Sequence, residues 1–108
     1  MAAQDDGRLY RYRWSCQILY GHYTNFMELQ REKNAIAKLR GWSTASFWIA
    51  TAGGLNDFFL EREYPSLGLL AGELEAREMD IDFMKAMRES YQYVVQGSVR
   101  IELFETPA

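Results

Sequence analysis

Residues 8–18 read Arg-Leu-Tyr-Arg-Tyr-Arg-Trp-Ser-Cys-Gln-Ile and alternate strictly from Tyr10 to Ile18. Every second side chain in that stretch is aromatic, aliphatic or a thiol, and the side chains between them are arginine, serine or glutamine. Because successive side chains of a strand point to opposite faces of the sheet, this alternation predicts a β-strand with one buried face.

A helix is predicted to follow this strand and to end at Gly41, which fits the left-handed position of a helix C-terminus. Asn25 and Glu28 have the spacing of a capping box, although the first turn of the helix could begin at Gly21 or His22 instead. Apolar positions at steps of three and four predict one buried stripe. The predicted stripe comprises His22, Phe26, Leu29, Lys33, Ile36 and Leu39.

The second half of the chain predicts two strands, a broken helix and a last strand. Residues 43–51 and 55–64 predict a hairpin because Gly53-Gly54 lies between them. Ser66 is predicted to cap a helix over 67–78, and Asp80 a further segment over 81–94. Gly97 ends that segment, and residues 98–105 alternate as a strand.

The order β-α-β-β-α-β predicts an α+β, ferredoxin-like domain. Right-handed crossovers turn this order into a four-stranded antiparallel sheet with the helices on one face. The chain of 108 residues has the length of one domain. We expect that domain to span residues 8–108, preceded by a flexible N-terminal segment of residues 1–7.

The face of the sheet opposite the helices, here called the outer face, predicts a homodimer. Alternation assigns to it large aromatic side chains together with charges of both signs. The assigned set comprises Arg11, Arg13, Gln17, Trp48, Phe59, Glu61, Glu63, Arg100, Glu102 and Phe104. A second copy of the chain would cover the aromatic groups, and Arg11 and Arg13 would pair across strands with Glu61 and Glu63. The alternative is a solvated face whose surface ion pairs contribute little to stability.

The composition favours a cytoplasmic protein that binds neither nucleic acid nor membrane. The net charge is −3 at pH 7, whereas nucleic-acid binders usually carry a basic patch. The apolar runs are far shorter than a membrane span, and the N-terminal residues lack a signal-peptide pattern. The single cysteine, Cys16, cannot form an internal disulfide, which favours a reducing compartment. Its place in the strand predicts a small buried side chain.

Short segments spread over residues 9–105 carry a likeness to a known family. They are Tyr20-Gly21-His22-Tyr23-Thr24-Asn25-Phe26, Gly41-Trp42 with Phe47-Trp48-Ile49, Gly54-Leu55-Asn56-Asp57, Glu63-Tyr64-Pro65-Ser66-Leu67, and Met79-Asp80 with Phe83-Met84. These segments resemble NIPSNAP-like proteins of the dimeric α+β barrel superfamily. The resemblance implies a homodimer whose two sheets close into a barrel, with a pocket between helices and sheet in each subunit.

His22 is the candidate catalytic residue. It is the only histidine, and histidine is the side chain whose unperturbed pKa lies near neutrality. As a general base it would remove a proton from an acidic phenol or enol. The sequence offers no acidic partner to orient it, and the family that the segments resemble often has a Lys or Arg at this position. The alternative is a surface histidine at the start of the helix, or one bonded to the backbone.

Five aromatic residues are candidates for lining an apolar pocket that binds a small aromatic or apolar molecule. They are Tyr12, Trp14, Trp42, Trp48 and Tyr91. Tyr12 and Trp14 are preferred because a central strand would form the floor of the pocket. Core packing explains the same residues without a ligand.

Three functions stay open, because the superfamily includes monooxygenases, isomerases, cyclases, haem-degrading enzymes and members without an assigned activity. The first is a small-molecule-binding protein, and the second a cofactor-independent monooxygenase, isomerase or cyclase acting on an aromatic or polyketide-like substrate. The third is a structural or interaction module whose own side chains fill the pocket.

We expect neither a cofactor nor a metal. One histidine and one cysteine without clustered carboxylates do not make a metal site. Haem would be expected only by analogy with the superfamily, and the sequence offers no clear ligand for it. Gly53-Gly54 lacks the further glycines and the helix of a phosphate-binding loop. Glu73, Glu75 and Glu78 with Arg77 are predicted to form a solvated helix face.

Overall fold

The computed structural model describes residues 7–107, which form four strands and three helices. In chain order they are β1 (Tyr10–Gln17), α1 (Tyr23–Arg40), β2 (Ser46–Ile49), β3 (Asp57–Tyr64), α2 (Leu67–Met79), α3 (Ile81–Tyr91) and β4 (Arg100–Glu105). The strands pair antiparallel in the order β2-β3-β1-β4. The predicted ferredoxin-like βαββαβ architecture is therefore confirmed. Apart from Gly7, the predicted flexible segment lies outside the described residues.

The two faces of the sheet follow the predicted alternation. On the helix side, Trp14 lies opposite Leu60 of β3 and Ile101 of β4. On the outer face, Arg11 lies opposite Glu63 and forms an ion pair with it. Arg13 lies opposite Glu61, and its Nε donates to Glu61 Oε2 at 2.7 Å. The predicted cross-strand pairs are confirmed.

Side-chain caps begin α2 and α3 where the sequence predicted them. Ser66 Oγ accepts a hydrogen bond from the backbone N–H of Leu69 at 3.1 Å, and Asp80 Oδ1 accepts one from Phe83 at 2.8 Å. Gly41 ends α1 in the left-handed conformation, with φ of 79°. α1 begins directly after His22, so the Asn25 capping box was wrong and the His22 alternative is confirmed.

The buried face of α1 is wider than the predicted stripe. It comprises Phe26, Met27, Gln30, Lys33 and Ala37, whereas Leu39 is exposed. α1 packs on two surfaces at once: the Phe26 ring meets Phe58 of β3 at 4.9 Å, and Lys33 approaches Phe83 of α3. A helix between a sheet and a second helix buries residues that a single apolar stripe does not include.

β2 is shorter at both ends than the predicted strand over residues 43–51. It starts late, at Ser46, because helix side chains bind the backbone ahead of it. The N–H of Ser43 donates to Glu73 Oε1 at 3.0 Å, and the N–H of Ala45 donates to Asn34 Oδ1 at 2.7 Å. Such side-chain bonds compete with the strand ladder for backbone donors. Within residues 7–107, no helix is both long and apolar enough to cross a bilayer.

Candidate functional site

A cavity of about 30 Å³ lies between the sheet and the helices. Its apolar wall comprises Tyr12, Trp14, Ala45, Phe47, Leu60, Phe83 and Met87. Its polar wall comprises Gln30, Lys33, Asn34, Arg62 and Arg77. Since one water occupies about 10–15 Å³ on this measure, the cavity has room for roughly two water-sized groups.

The structure brings together two of the five predicted aromatic lining residues. Tyr12 and Trp14 line the cavity from β1, as preferred from the sequence. Tyr91 meets Trp14 edge-on at 6.3 Å from the end of α3. Trp42 packs edge-on against Phe83 at 6.0 Å, which places it behind a wall residue.

Trp48 and His22 lie away from this cavity. Trp48 is on the outer face, opposite Phe59 in register, and 58% exposed. The prediction that it lines a pocket between sheet and helices is corrected, because period-two alternation places it on the other side of the sheet from Phe47. His22 is exposed ahead of α1, where its ring stacks on Tyr93 at 5.3 Å.

Lys33 brings a buried ammonium group to the cavity from α1. Only 4% of the residue is exposed, and its Nζ lies 5.6 Å from the centre of the Trp14 ring and 5.9 Å from that of Phe83. Its hydrogen-bond partner is the weakly accepting Sδ of Met87, at 3.7 Å. Burial lowers the pKa of Lys33 to about 7, and the neighbouring Arg62 adds to that effect.

Arg62 brings a second cation from β3. It stands between Leu60 and Tyr64 on the helix side of the strand, and its guanidinium carbon lies 4.6 Å from the centre of the Tyr12 ring. In the described part of the chain no group forms a hydrogen bond or ion pair with this guanidinium, and its Nε is fully enclosed. Burial, and then Arg77, lower its pKa.

Arg77, the third cation, is neutralised by Glu73 one helical turn away. Arg77 Nη2 donates to the carbonyl of Ser43 at 2.6 Å and to Glu73 Oε1 at 3.4 Å. Glu73 also accepts from the backbone of Ser43 and from the Tyr64 hydroxyl, at 3.1 Å. The predicted solvated face is thus wrong for Glu73 and Arg77, because with Leu70 they form the buried face of α2.

Gln30 completes the polar wall. Its side chain is fully buried, and neither its amide nitrogen nor its amide oxygen has a hydrogen-bond partner among residues 7–107. A buried amide without partners is costly, so this group is placed to bind something that enters the cavity. Sequence reasoning missed it because Gln30 lies beside the predicted stripe.

The chemistry of the cavity is that of stabilising negative charge. Lys33, Arg62 and Arg77 line it, and the carboxylate of Glu73, which is outside the lining, is bound by Arg77, Ser43 and Tyr64. Burial raises the pKa of Cys16 to about 12, so its thiol stays protonated and unreactive near neutral pH. Across residues 7–107, no three His, Cys, Asp or Glu side chains come together as a metal site.

Comparisons with known proteins place the fold. No family model matches the chain, and no curated protein matches it. A NIPSNAP family protein of Agrobacterium tumefaciens strain C58 superposes with a TM-score of 0.75 at 15% identity, covering 92% of this chain and 86% of that one. An uncharacterised NIPSNAP domain protein of Burkholderia xenovorans gives 0.73 at 16% identity, covering 93% and 94%.

A third solved structure carries a suggested activity. This protein of Nitrosomonas europaea, proposed to be an antibiotic biosynthesis monooxygenase, gives a TM-score of 0.69 at 11% identity, covering 91% of this chain and 89% of that one. These identities establish architecture and leave chemistry to the site itself. The likeness seen in the sequence is thus confirmed as a likeness of fold: the chain has the ferredoxin-like fold of NIPSNAP family proteins.

Proposed function

We propose that this chain is a cytoplasmic, NIPSNAP-like protein that binds a small molecule with an aromatic or apolar body. The observation that carries the proposal is the cavity between sheet and helices, in which aromatic walls surround a few polar groups. Ligand sites commonly combine apolar walls with a few polar groups in this way, and the empty space at the cavity, open solvent included, is about 380 Å³, which gives room for the body of the ligand outside the volume of about 30 Å³. The unpartnered amide of Gln30 supports the proposal, since a cavity filled by its own side chains would satisfy it.

A cofactor-independent monooxygenase, isomerase or cyclase is the second candidate. The likeness to the Nitrosomonas europaea protein favours a monooxygenase. His22 is a poor base for such a reaction because it stacks on Tyr93 at the surface. Among the groups that line the cavity, Lys33 is the one suited to take a proton, because its amine is buried there and has a lowered pKa.

We also propose that the chain forms a homodimer through the outer face. Trp48 is 58% exposed there and Phe104 41% exposed. A hollow of about 250 Å³ lies between Arg13, Trp48, Phe59 and Glu61. Large exposed aromatic side chains rimmed by charges are typical of protein interfaces. Arg11 and Arg13 already pair with Glu63 and Glu61 within the chain, so a second copy related by a two-fold axis would cover the exposed aromatic side chains without leaving these charges unpaired.

A thermal-unfolding screen tests the binding function. The panel contains small aromatic and aliphatic molecules, both neutral and charged, and a ligand of the native state raises the melting temperature by mass action. We expect at least one compound to do so, and the shift to vanish in Phe47→Trp and Ala45→Leu, which fill the cavity. Ala35→Leu, on the exposed side of α1, is the control that should keep the shift.

Two results would overturn the binding function. One is a panel without any saturable shift. The other is a shift that survives in both cavity-filling variants while circular dichroism shows that they are folded.

A further inference from the structure

The charges around the cavity narrow the class of ligand, on the premise that the cavity binds a ligand as proposed above. We infer that the ligand is a carboxylate anion with an aromatic or apolar body, and that Arg62 and Lys33 bind its two oxygens. The inference rests on charge balance, donor geometry, size and the surrounding walls.

Charge balance is the first step. Lys33 and Arg62 are 4% and 6% exposed, and within residues 7–107 neither forms an ion pair with a carboxylate. Glu73 is directed to Arg77, Ser43 and Tyr64 instead. Buried charges are normally paired, because an unpaired one is costly. Arg62 keeps its charge at neutral pH, and the described residues supply no carboxylate to balance it or a protonated Lys33, so the balancing anion must come from a ligand.

Donor geometry is the second step. The Tyr12 ring covers one face of the Arg62 guanidinium, with 4.6 Å from carbon to ring centre. This contact uses none of the N–H donors; Nε is enclosed by the chain, and the fork of the two Nη groups matches the two oxygens of a carboxylate. The Gln30 amide, whose polar atoms have no partner in the described chain, adds a further donor in the same cavity.

Size and shape are the third step. The cavity of about 30 Å³ has room for roughly two water-sized groups, which is the number of oxygens in a carboxylate. A tetrahedral phosphate, with four oxygens, needs more space. Because the carboxylate fills that volume, the body of the ligand lies outside it, in the surrounding empty space of about 380 Å³, open solvent included, beside the half-buried apolar side chains of Phe47 and Met87. The flexible thioether of Met87 can adapt to that body.

Matched pairs of acid and amide test the inference by calorimetric titration. Benzoate and benzamide share size and shape but differ in charge, and so do acetate and acetamide. We expect benzoate to bind about 100-fold more tightly than benzamide, because the loss of one partner of a buried charge pair commonly costs this much affinity. Acetate should bind more weakly than benzoate and more tightly than acetamide.

Variants identify the binding groups. Arg62→Met and Lys33→Met replace each cation by an apolar side chain that fits among the aromatic walls. We expect each to weaken benzoate binding by about 100-fold and to leave benzamide binding unchanged within about threefold. Lys38→Met removes an exposed lysine of the same helix, and Arg100→Met removes an exposed arginine of β4. Both controls should bind benzoate as the unmodified chain does.

The outcomes separate this inference from the proposed function. If benzamide binds as tightly as benzoate, and the cavity-filling variants abolish both, the cavity binds ligands but the inference of an anion is wrong. If folded Arg62→Met and Lys33→Met keep full benzoate affinity, the assignment of these two cations is wrong. If neither acids nor amides bind, both the inference and the proposed function fail.

Discussion

The guanidinium carbon of Arg62 lies 4.6 Å from the centre of the Tyr12 ring, and the two residues face each other across β3 and β1. A cation over an aromatic face is attracted by the negative potential of the ring. This contact orients Arg62 without neutralising it. Arg62 and Lys33 together therefore form a buried positive site.

Replacing Lys33 by an apolar side chain should stabilise the fold. Lys33→Met keeps most of the packing volume and removes an unpaired buried charge, and replacement of buried charges by apolar groups is often neutral or stabilising by about 1–4 kcal/mol. Urea unfolding at neutral pH measures the free energy of unfolding. Lys38→Met, on the exposed side of α1, should change it by no more than about 0.5 kcal/mol. A clear loss of stability in Lys33→Met would show that its ammonium group supports the fold.

The lowered pKa of Lys33 predicts how the free energy of unfolding depends on pH. Burial, helped by Arg62 and Arg77 and opposed by Cys16, lowers the pKa of Lys33 from 10.5 to about 7. Between these two pH values the unfolded chain binds a proton that the folded chain releases. The free energy of unfolding should therefore rise with pH from about 7 toward about 9, by at most about 1.4 kcal/mol per pH unit.

Above about pH 9 the trend should reverse. Burial raises the pKa of Cys16 to about 12 from 9.0, so the unfolded chain loses that proton first and the folded state loses stability. Burial raises the pKa of Tyr12 and Tyr64 as well, with the same sign. Urea unfolding across this range measures the curve. In Lys33→Met the rise between about pH 7 and 9 should disappear, and its persistence would assign it to another group.

Glu73 should be the costliest carboxylate to remove. Its oxygens accept from Ser43 and Tyr64 and pair with Arg77, and the side chain is 10% exposed. Glu73→Ala leaves the Arg77 charge buried and alone, which typically costs about 3–5 kcal/mol. Glu75→Ala, on the exposed side of the same helix, is the control. Combining Glu73→Ala with Arg77→Met should recover part of the loss, and a double variant no better than Glu73→Ala would contradict the pairing.

The outer face should control the oligomeric state. Arg13 lies between two rings there, 5.6 Å from Phe59 and 4.8 Å from Phe104, and Trp48 stands beside them. Sedimentation velocity should show a dimer for the unmodified chain, and Trp48→Lys should weaken that dimer by roughly 100-fold because a central aromatic contact is lost. Leu39→Lys, exposed on α1, should leave the dimer intact. A monomer at every accessible concentration would refute the interface.

The architecture could be predicted from the sequence because local rules agree with the fold. The alternation of side chains in β1 predicted which residues lie on each face of the sheet. The capping residues Ser66 and Asp80 predicted where α2 and α3 begin. The start of β2 could not be predicted, because Asn34 and Glu73 bind the backbone ahead of it from helices that are distant in sequence. Such contacts exist only once the layers are packed.

The site was harder to predict than the fold. Tyr12 and Trp14 were predicted to line a pocket between sheet and helices, but Arg77 was assigned to a solvated face, and no role was predicted for Arg62 or Gln30. Two signals were present in the sequence: Arg62 stands between Leu60 and Tyr64 in a strand pattern, and Lys33 stands on the predicted stripe of α1. Charged residues at predicted core positions are therefore the pattern that identifies this site.

A crystal structure grown with 4-bromobenzoate tests the anion site most directly, because the anomalous signal of bromine locates the ligand independently of its shape. We expect one bromine peak per chain at the opening of the cavity beside Phe47 and Met87, with the carboxylate oxygens within hydrogen-bond distance of Arg62 and Lys33. Crystals without a peak in the cavity at a saturating concentration, or with bromine bound only on the outer face, would contradict it.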